Sequence, residues 1–157
     1  MKYVNEALSE QKKKQQSPGE DDKSILYNDL DTESSDIDKE YEINKQVFQK
    51  LDSLIRRDEL YLSADLSRED LVRMAHMNNT RFAKMIKENT GTNLSGYINE
   101  LRLNHAIHLL KEHPEYTLRA IAEASGINSM PTFHSLFKNK TGMTPSEFKK
   151  TQMDMKQ

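Results

Sequence analysis

Hydrophobic residues recur every three or four positions from about residue 38 onward, which is the spacing of amphipathic α-helices. No stretch alternates between apolar and polar residues with a period of two, so the sequence predicts no β-strand. The pattern therefore predicts an all-α fold. The first apolar stripe predicts a helix near residues 39–58 and consists of Ile43, Val47, Leu51, Leu54 and Ile55.

Start and stop signals divide the rest of the chain into further helices. Ser67 stands three residues before Asp70, which is the spacing of a capping box with Asp in place of the usual Glu. This signal predicts a short helix that ends at Ala75, and the chain then has about seven helices in all. The others are predicted at about 79–89, 94–112, 117–124, 129–141 and from a second capping box at Thr144 onward.

Apolar positions inside these helices predict the core. Three large side chains point inward from the helix at 79–89, and three more point inward from the helix at 129–141. The first trio is Phe82, Met85 and Ile86, and the second is Phe133, Leu136 and Phe137. The inward positions of the long helix are Leu94, Tyr97, Ile98, Leu101, Ala106, Leu109 and Leu110.

The same pattern occurs twice along the chain. Residues 71–78 match residues 121–128 at an offset of 50, and residues 82–91 match residues 133–142 at an offset of 51. The change of one residue falls in the turn between the two helices of each unit. A short helix, a short turn and a second helix describe a helix-turn-helix. The duplication predicts two such subdomains joined by a long linker helix.

Charge divides the chain at about residue 40. Residues 1–40 hold 6 Lys and Arg against 11 Asp and Glu, a net charge of -5, whereas residues 41–157 carry a net charge of +3. We therefore expect a mostly disordered acidic leader at 1–40. After it we expect a first helix with the first helix-turn-helix, the linker helix, the second helix-turn-helix with a final helix, and a tail, at 41–91, 92–113, 114–150 and 151–157.

Composition excludes several kinds of chemistry. The 157 residues include no Cys, which removes disulfides, thiol catalysis and thiolate metal sites. No apolar run approaches the ~18 residues of a membrane helix, so we expect a cytoplasmic chain with no direct membrane contact. His105, His108 and Glu112 have a spacing that can hold a metal, but solvated or packing histidines explain it better. We predict no catalytic site, no metal and no cofactor.

Residues from about 41 to 150 resemble the DNA-binding domain of the arabinose-regulator (AraC-type) transcription factors. The resemblance implies that each unit inserts its second helix, about 79–89 and 129–141, into successive major grooves of double-stranded DNA. The most specific matching segments are 97–103, 127–129, 133–138 and 141–148.

Two residues depart from the family's pattern. Ser135 stands where the family commonly carries Arg, so the second reading helix has few strong hydrogen-bond donors. His76 stands where a turn glycine is common, and a histidine tolerates a positive φ only at some energetic cost. The first unit is therefore expected to dominate sequence specificity.

Each reading helix exposes residues that suit contact with bases. Arg and Lys can donate to guanine and Asn to adenine, whereas Met or Pro can contact thymine methyl groups. The resemblance puts Thr80 and Lys84 at groove-facing positions. The candidate base contacts are Asn79, Thr80, Arg81, Lys84, Met130, Pro131, His134 and Ser135.

Phosphate contacts are expected at helix starts, where free N–H groups and the helix dipole attract anions. Arg102 lies beside the apolar stripe of the long helix. The sequence leaves open whether it contacts phosphate or forms a partly buried ion pair with a carboxylate. The candidate phosphate contacts are Lys87, Asn93, Ser95, Lys138, Thr144 and Ser146.

The long helix sets a length scale for the two readers. Its 19 residues span ~28 Å, whereas successive major grooves on one face of straight DNA repeat every ~34 Å. Either the DNA bends or one unit docks poorly, and a site of ~20 bp follows from two readers one DNA turn apart.

Two functions remain from the sequence. The first is a sequence-specific DNA-binding transcription regulator, with promoter DNA and RNA polymerase as partners. The alternative is a helical protein-interaction module with degenerate or no DNA binding, which the weak second reading helix favours. The leader is too short and polar to form a sensory domain, which leaves two alternatives: the protein acts alone, or it is the carboxy-terminal part of a longer chain with an upstream sensory domain. A homodimer partner is a further option.

Overall fold

The computed structural model describes the backbone of residues 25–157 and the side chains of residues 34–157. Within this part every regular element is helical, which confirms the predicted all-α fold. A short 3-10 turn, Leu60–Leu62, separates the first two helices. The α-helices are α1 (Ile25–Arg57), α2 (Arg68–Ala75), α3 (Asn79–Thr90), α4 (Leu94–Glu112), α5 (Leu118–Ala124), α6 (Met130–Thr141) and α7 (Pro145–Met155).

The first helix begins earlier than the sequence predicts. The chain divides into two units, Met1–Glu40 and Tyr41–Gln157, and the helix starts at Ile25 in the first unit, whereas the sequence predicted a start near residue 39. The rest of the predicted leader, residues 1–24, lies outside the described residues. No Gly or Pro interrupts residues 25–57, and extending an existing helix is much easier than starting one. A helix can therefore continue through polar residues that bury little surface.

The other helices begin where the capping signals predict. The Ser67 hydroxyl accepts a hydrogen bond from the Asp70 amide at 3.1 Å, and Thr144 accepts one from the Glu147 amide at 3.2 Å. Both carboxylates return a contact to the amide of the capping residue, so both capping boxes are complete. Local hydrogen bonding thus fixes the starts of α2 and α7.

Residues 41–157 contain two hydrophobic cores, and α4 contributes to both. The first core packs α4 against α1, α2 and α3, whereas the second packs α4 against α5 and α6. The buried residues of the first core are Leu51, Ile55, Leu71, Ala75, Phe82, Met85, Ile86, Tyr97, Ile98 and Leu101. Those of the second are Leu103, Ala106, Leu110, Ile121, Ala122, Ile127, Phe133 and Phe137.

Several burial predictions need correction. Ile43, predicted to belong to the apolar stripe of α1, is 46% exposed, and the neighbouring Asn44 is buried instead. Leu103 is buried although it was not predicted to point inward. Side chains of α4 meet neighbours on two sides, so a single stripe does not describe its buried surface. The predicted core residues that are only half-buried are Val47, Leu54, Leu94, Leu109 and Leu136.

Candidate nucleic-acid interface

The first helix-turn-helix unit consists of α2, a tight turn and α3. His76 ends α2 with φ 53°, the left-handed conformation that a glycine usually provides, and Asn78 caps α3 by accepting a hydrogen bond from the Arg81 amide at 2.8 Å. Because Phe82, Met85 and Ile86 are fully buried, the opposite face of α3 is exposed. The candidate residues on that exposed face are Asn79, Thr80, Lys84 and Lys87.

Arg81 is placed differently from the other candidates on α3. Its side chain is half-buried, and its Nε donates a hydrogen bond of 3.0 Å to the Oδ1 of buried Asn44 in α1. The guanidinium is therefore anchored at the edge of the reading face. Asn44 is a supporting residue that sequence analysis missed, because its 37-residue separation from Arg81 leaves no local signal.

Arg68, the first residue of α2, was also missed. Its Nη2 donates to the Asn79 carbonyl at 3.2 Å, its Nε makes a long contact of 3.4 Å with Asn79 Oδ1, and its guanidinium lies 5.7 Å from the centre of the Phe82 ring. It thus adds a cation at the start of α3. The available signal was its position directly after the capping residue Ser67, at a helix start where anions are attracted.

The charges on α3 are partly compensated. Lys84 Nζ lies 3.9 Å from a carboxylate oxygen of Glu88, one helical turn further on. The Lys84 side chain remains 56% exposed, so this pair is weak and salt-sensitive. Lys84 can therefore leave Glu88 and donate to another acceptor at little cost in free energy.

The second unit consists of α5, the turn at Gly126 and α6. Ser129 caps α6 by accepting from the Thr132 amide at 3.3 Å, and Pro131 and Ser135 are exposed on the helix surface. Met130 is half-buried against the second core. His134 is half-buried with its ring edge against Phe133, at 6.2 Å between ring centres. Of the candidate base contacts, α6 therefore exposes only Pro131 and Ser135, whereas α3 exposes Asn79, Thr80 and Lys84.

The two helix starts that follow the reading helices differ in charge. Asn93 caps α4 through the Gly96 amide at 2.9 Å, and the first turn of α4 has no acidic residue. At the start of α7, hydrogen bonds from Thr144, opposed by partial burial and assisted by the charge of Lys138, lower the pKa of Glu147. That carboxylate is ionised at neutral pH, so the start of α7 carries a negative charge that the start of α4 lacks.

The remaining phosphate candidates lie on the surface. Lys87 and Lys138 occupy equivalent exposed positions in the last turns of α3 and α6. Ser95 and Ser146 are exposed in the first turns of α4 and α7. Asn93 and Thr144 cap these helices through their side-chain oxygens, which leaves the Asn93 Nδ2, the Thr144 hydroxyl hydrogen and the neighbouring amides as donors.

Arg102 lines a shallow cavity together with Arg68 and Ser95, and no carboxylate of the described residues pairs with it. Its Nε donates to the Tyr61 carbonyl at 2.6 Å and its Nη2 donates to the Ser63 carbonyl at 2.9 Å. The sequence left open a phosphate contact or a carboxylate partner, and the partners seen in the structure are these two backbone carbonyls. Burial lowers the pKa of Arg102 from its usual value, although an arginine stays charged at neutral pH.

The described part of the chain forms neither a metal site nor a membrane-spanning helix. No group of His, Asp or Glu side chains there is arranged to hold a metal ion; His105 instead lies with its ring edge toward Tyr61, at 6.3 Å between ring centres. None of the helices in residues 25–157 has the length and apolar character needed to span a bilayer.

With this geometry established, comparison with known proteins identifies the family. Residues 71–151 match the sequence model of a helix-turn-helix domain, which covers just over half of the chain. The chain belongs to the AraC-type helix-turn-helix family.

The relatives are bacterial proteins. The chain is 39% identical over 80 residues to the transcriptional regulatory protein YesN of Bacillus subtilis, a match that covers 50% of this chain and 22% of that protein. It is 31% identical over 81 residues to the transcriptional activator RclR of Escherichia coli, covering 52% of this chain and 28% of that one. The chain therefore spans about a quarter of the length of these relatives.

Solved structures share the fold. An AraC-type DNA-binding-domain protein from Chromobacterium violaceum superposes with a TM-score of 0.60 at 27% identity, covering 69% of this chain and 93% of that one. The DNA-binding domain of AdpA has a TM-score of 0.58 at 20% identity, covering 64% of this chain and 90% of that one.

Proposed function

We propose that this chain is the DNA-binding part of a transcription regulator and that α3 and α6 contact successive major grooves of double-stranded DNA. The observation that carries the proposal is the duplicated geometry. Each of these helices is capped at its start, buries its aromatic residues completely and exposes polar side chains on the opposite face. A helix with these properties fits a major groove.

The related proteins support the same activity. YesN and RclR are named as regulators of transcription, and the AdpA domain is described in complex with a target DNA. Residues 76–157 contain 11 Lys and Arg against 7 Asp and Glu, a net charge of +4. This modest excess of positive charge is compatible with binding to the phosphate backbone.

Within this proposal α3 supplies most of the sequence specificity. Thr80 and Lys84 are exposed one turn apart and contact base edges, and Asn79 lies beside them at the helix start. Arg81, whose side chain is hydrogen-bonded to Asn44, contacts the edge of the major groove. On α6, Pro131 and Ser135 make weaker base contacts, so that helix serves mainly to position the protein.

Phosphate binding is assigned to the flanks of the two readers. Lys87 and Lys138 extend from the ends of the reading helices, and Ser95 contacts phosphate together with the amides at the start of α4. Arg68, the first residue of α2, joins this group because its exposed guanidinium contacts the start of α3. These contacts fix the position of the protein without reading sequence.

We also propose partners and a cellular location for this domain. Since the relatives are several times longer than their matched regions, we propose that an upstream sensory domain or a second copy governs its activity. RNA polymerase is the proposed partner at the promoter, and the bacterial cytoplasm, where such DNA lies, is the proposed location.

The proposed function is tested by selecting bound duplexes from a random DNA pool with the full chain. Binding to a selected duplex and to random duplex is then measured in rising salt. We expect log affinity to fall linearly with log salt, with a slope of about -0.9 for each phosphate neutralised. An affinity that ignores salt, or that is equal for selected and random duplexes, would refute the proposal and favour a protein-interaction module.

Lys84→Ala tests the assignment of the first reader. Loss of a base contact is expected to weaken binding to the selected duplex by about 1–3 kcal/mol and to leave random duplex much less affected. Lys111→Ala is the matched control, because Lys111 is an equally exposed lysine on the last turn of α4, away from both readers. Equal effects of the two variants would show that Lys84 contributes charge alone.

A further inference from the structure

A contact between the two helix-turn-helix halves lies at the middle of α4. We call it the junction, and it consists of Arg102, Gly126 and the backbone carbonyls of residues 61–63. The carbonyls belong to the 3-10 turn that precedes the first helix-turn-helix, and Gly126 belongs to the turn of the second. Neither a sequence motif nor the proposed DNA contacts account for this arrangement.

Arg102 orders the carbonyl side of the junction. Its Nε and Nη2 donate to the carbonyls of Tyr61 and Ser63, so one planar side chain fixes two peptide units of the turn. Hydrogen bonds from a charged donor are stronger than neutral ones. Arg102 therefore holds the turn against α4, and α4 itself packs in both cores.

Gly126 supplies the other side by having no side chain. A Cβ at this position would lie 2.8 Å from the Leu62 carbonyl oxygen, 2.9 Å from the Tyr61 carbonyl oxygen and 3.0 Å from Arg102 Nε. Ordinary contact begins near 3.4 Å, so the two turns would have to separate by about half an ångström. The second half thus rests directly on the turn that Arg102 orders.

The other turn glycines show that this requirement is specific. Gly91 and Gly142 have φ values of 75° and 76°, close to the 79° of Gly126, but a Cβ at either of them would meet nothing within 4 Å. All three positions favour glycine for its backbone conformation. Among the four glycines of the described residues, only Gly126 also needs it for a close approach between the halves, since a Cβ at Gly96 in α4 would meet Thr92 just before the start of the same helix.

We propose that the junction sets the distance and angle between α3 and α6, and thereby the spacing of the two half-sites that one copy of the protein can occupy at once. The geometric part stands on the junction alone, and the half-site part rests on the proposed function. Two rigid readers gain affinity from each other only when their separation matches that of their sites. Arg102 and Gly126 are then positioning residues that never touch DNA.

The geometric part is tested by measuring a distance between the two readers. The chain has no cysteine, so spin labels attached through Ala83→Cys on α3 and Asn139→Cys on α6, both exposed, report that distance by pulsed electron resonance. We expect Gly126→Ala to shift or broaden the distance distribution, and Gly142→Ala, which carries the same backbone strain, to leave it unchanged. Identical distributions for all three proteins would overturn the proposal.

A second pair of variants keeps the test decisive if Gly126→Ala does not fold. Arg102→Met keeps the aliphatic stem and removes both donors, so it should broaden the same distribution. Arg119→Met is its control, because Arg119 is an exposed arginine on α5 that pairs only with Glu123 of its own helix among the contacts seen. A narrow, unshifted distribution in Arg102→Met would overturn the role of that side chain.

The half-site part is tested on duplexes that carry both selected half-sites, one half-site, or both with altered spacing. For Gly126→Ala we expect the preference for the correctly spaced duplex over a single half-site to fall by about tenfold, with unchanged affinity for single half-sites. An unchanged preference would overturn this part. Should the parent chain bind no duplex at all, the proposed function fails, while the distance measurement still decides the geometric part.

Discussion

His76 carries a backbone conformation that its side chain disfavours. Its φ of 53° lies in the left-handed region, and its amide donates to the carbonyls of Arg73 and Val72, which closes the end of α2. The turn into α3 depends on this conformation, because Asn78 caps the reading helix two residues later. A side chain with a Cβ pays a conformational cost here that glycine avoids.

Replacing His76 with Gly is expected to raise the free energy of unfolding by about 0.5–1 kcal/mol, since relief of strain exceeds the extra entropy of glycine in the unfolded chain. Urea unfolding measures the change. His108→Gly is the control, because His108 is an exposed residue inside α4, where glycine should instead cost about 1 kcal/mol. A loss of stability in His76→Gly would contradict the strain argument.

Tyr97 forms a polar contact at the edge of the first core. Its hydroxyl donates to Asp52 Oδ1 at 2.5 Å, and the same carboxylate accepts from Arg56 Nε at 2.9 Å. Burial, the hydrogen bond to Asp52 and the Asp52 charge raise the pKa of Tyr97 above its usual value of 10.0. The contact ties α4 to α1 only while the tyrosine keeps its proton.

This shift predicts a loss of stability in alkali. Above about pH 10 the unfolded chain loses the Tyr97 proton while the folded chain retains it, so the unfolded state binds fewer protons and stability falls as pH rises. Below that pH, Tyr97→Phe should cost about 1.5–3 kcal/mol, and the difference from the parent should shrink by about 1 kcal/mol between pH 10 and 11. Denaturation at several pH values measures it, and Tyr41→Phe, at an exposed ring, is the control. A constant difference would contradict the shift.

At the scale of elements, capping decides where the helices begin. The capping residues of α2 to α7 each accept a hydrogen bond from an amide three residues further on, so these helices of 7 to 19 residues start at defined positions. These signals are local, and the sequence therefore predicted them well. The start of α1 has no comparable signal, and its position was mispredicted.

Ser67→Ala is expected to lower the free energy of unfolding by about 1 kcal/mol, because the Asp70 amide loses its acceptor and the capping box is broken. Thr144→Ala should do the same at α7. Ser53→Ala provides the control, since Ser53 is exposed in the interior of α1, where alanine is the better helix former. Equal effects at Ser53 and Ser67 would contradict a role for the cap.

At the scale of the whole molecule, residues 41–157 have two cores that share one helix. Tyr97, Ile98 and Leu101 hold α4 in the first core, and Leu103, Ala106 and Leu110 hold it in the second. Each core is contiguous, so loss of one leaves α4 packed on the other. Such an arrangement favours partial opening of one half at a time.

Phe137→Leu is expected to speed amide hydrogen exchange in α5–α7 about tenfold and to leave α2 and α3 nearly unchanged, because a fully buried ring is removed from the second core alone. Phe82→Leu, at an equally buried ring in the first core, should give the reverse pattern. Uniform acceleration across both halves in either variant would show that the two cores open together.

The sequence by itself determined the helices, the duplicated unit, the two reading helices and the family. These features depend on spacing and on hydrogen bonds between residues at most a few positions apart, which periodicity and capping signals report directly. That α6 reads sequence less well than α3 follows from Ser135 alone and stays a prediction.

Only the tertiary structure decided how the site is supported. Arg81 donates a hydrogen bond to Asn44, which lies 37 residues earlier in the chain. Arg102 donates to the Tyr61 carbonyl, which lies 41 residues earlier and against which Gly126 packs. Such partners are brought together by the packing of separate helices, so no local pattern encodes them. A helical stripe shows that a side chain faces inward, whereas the choice among the groups that it meets there depends on the whole fold.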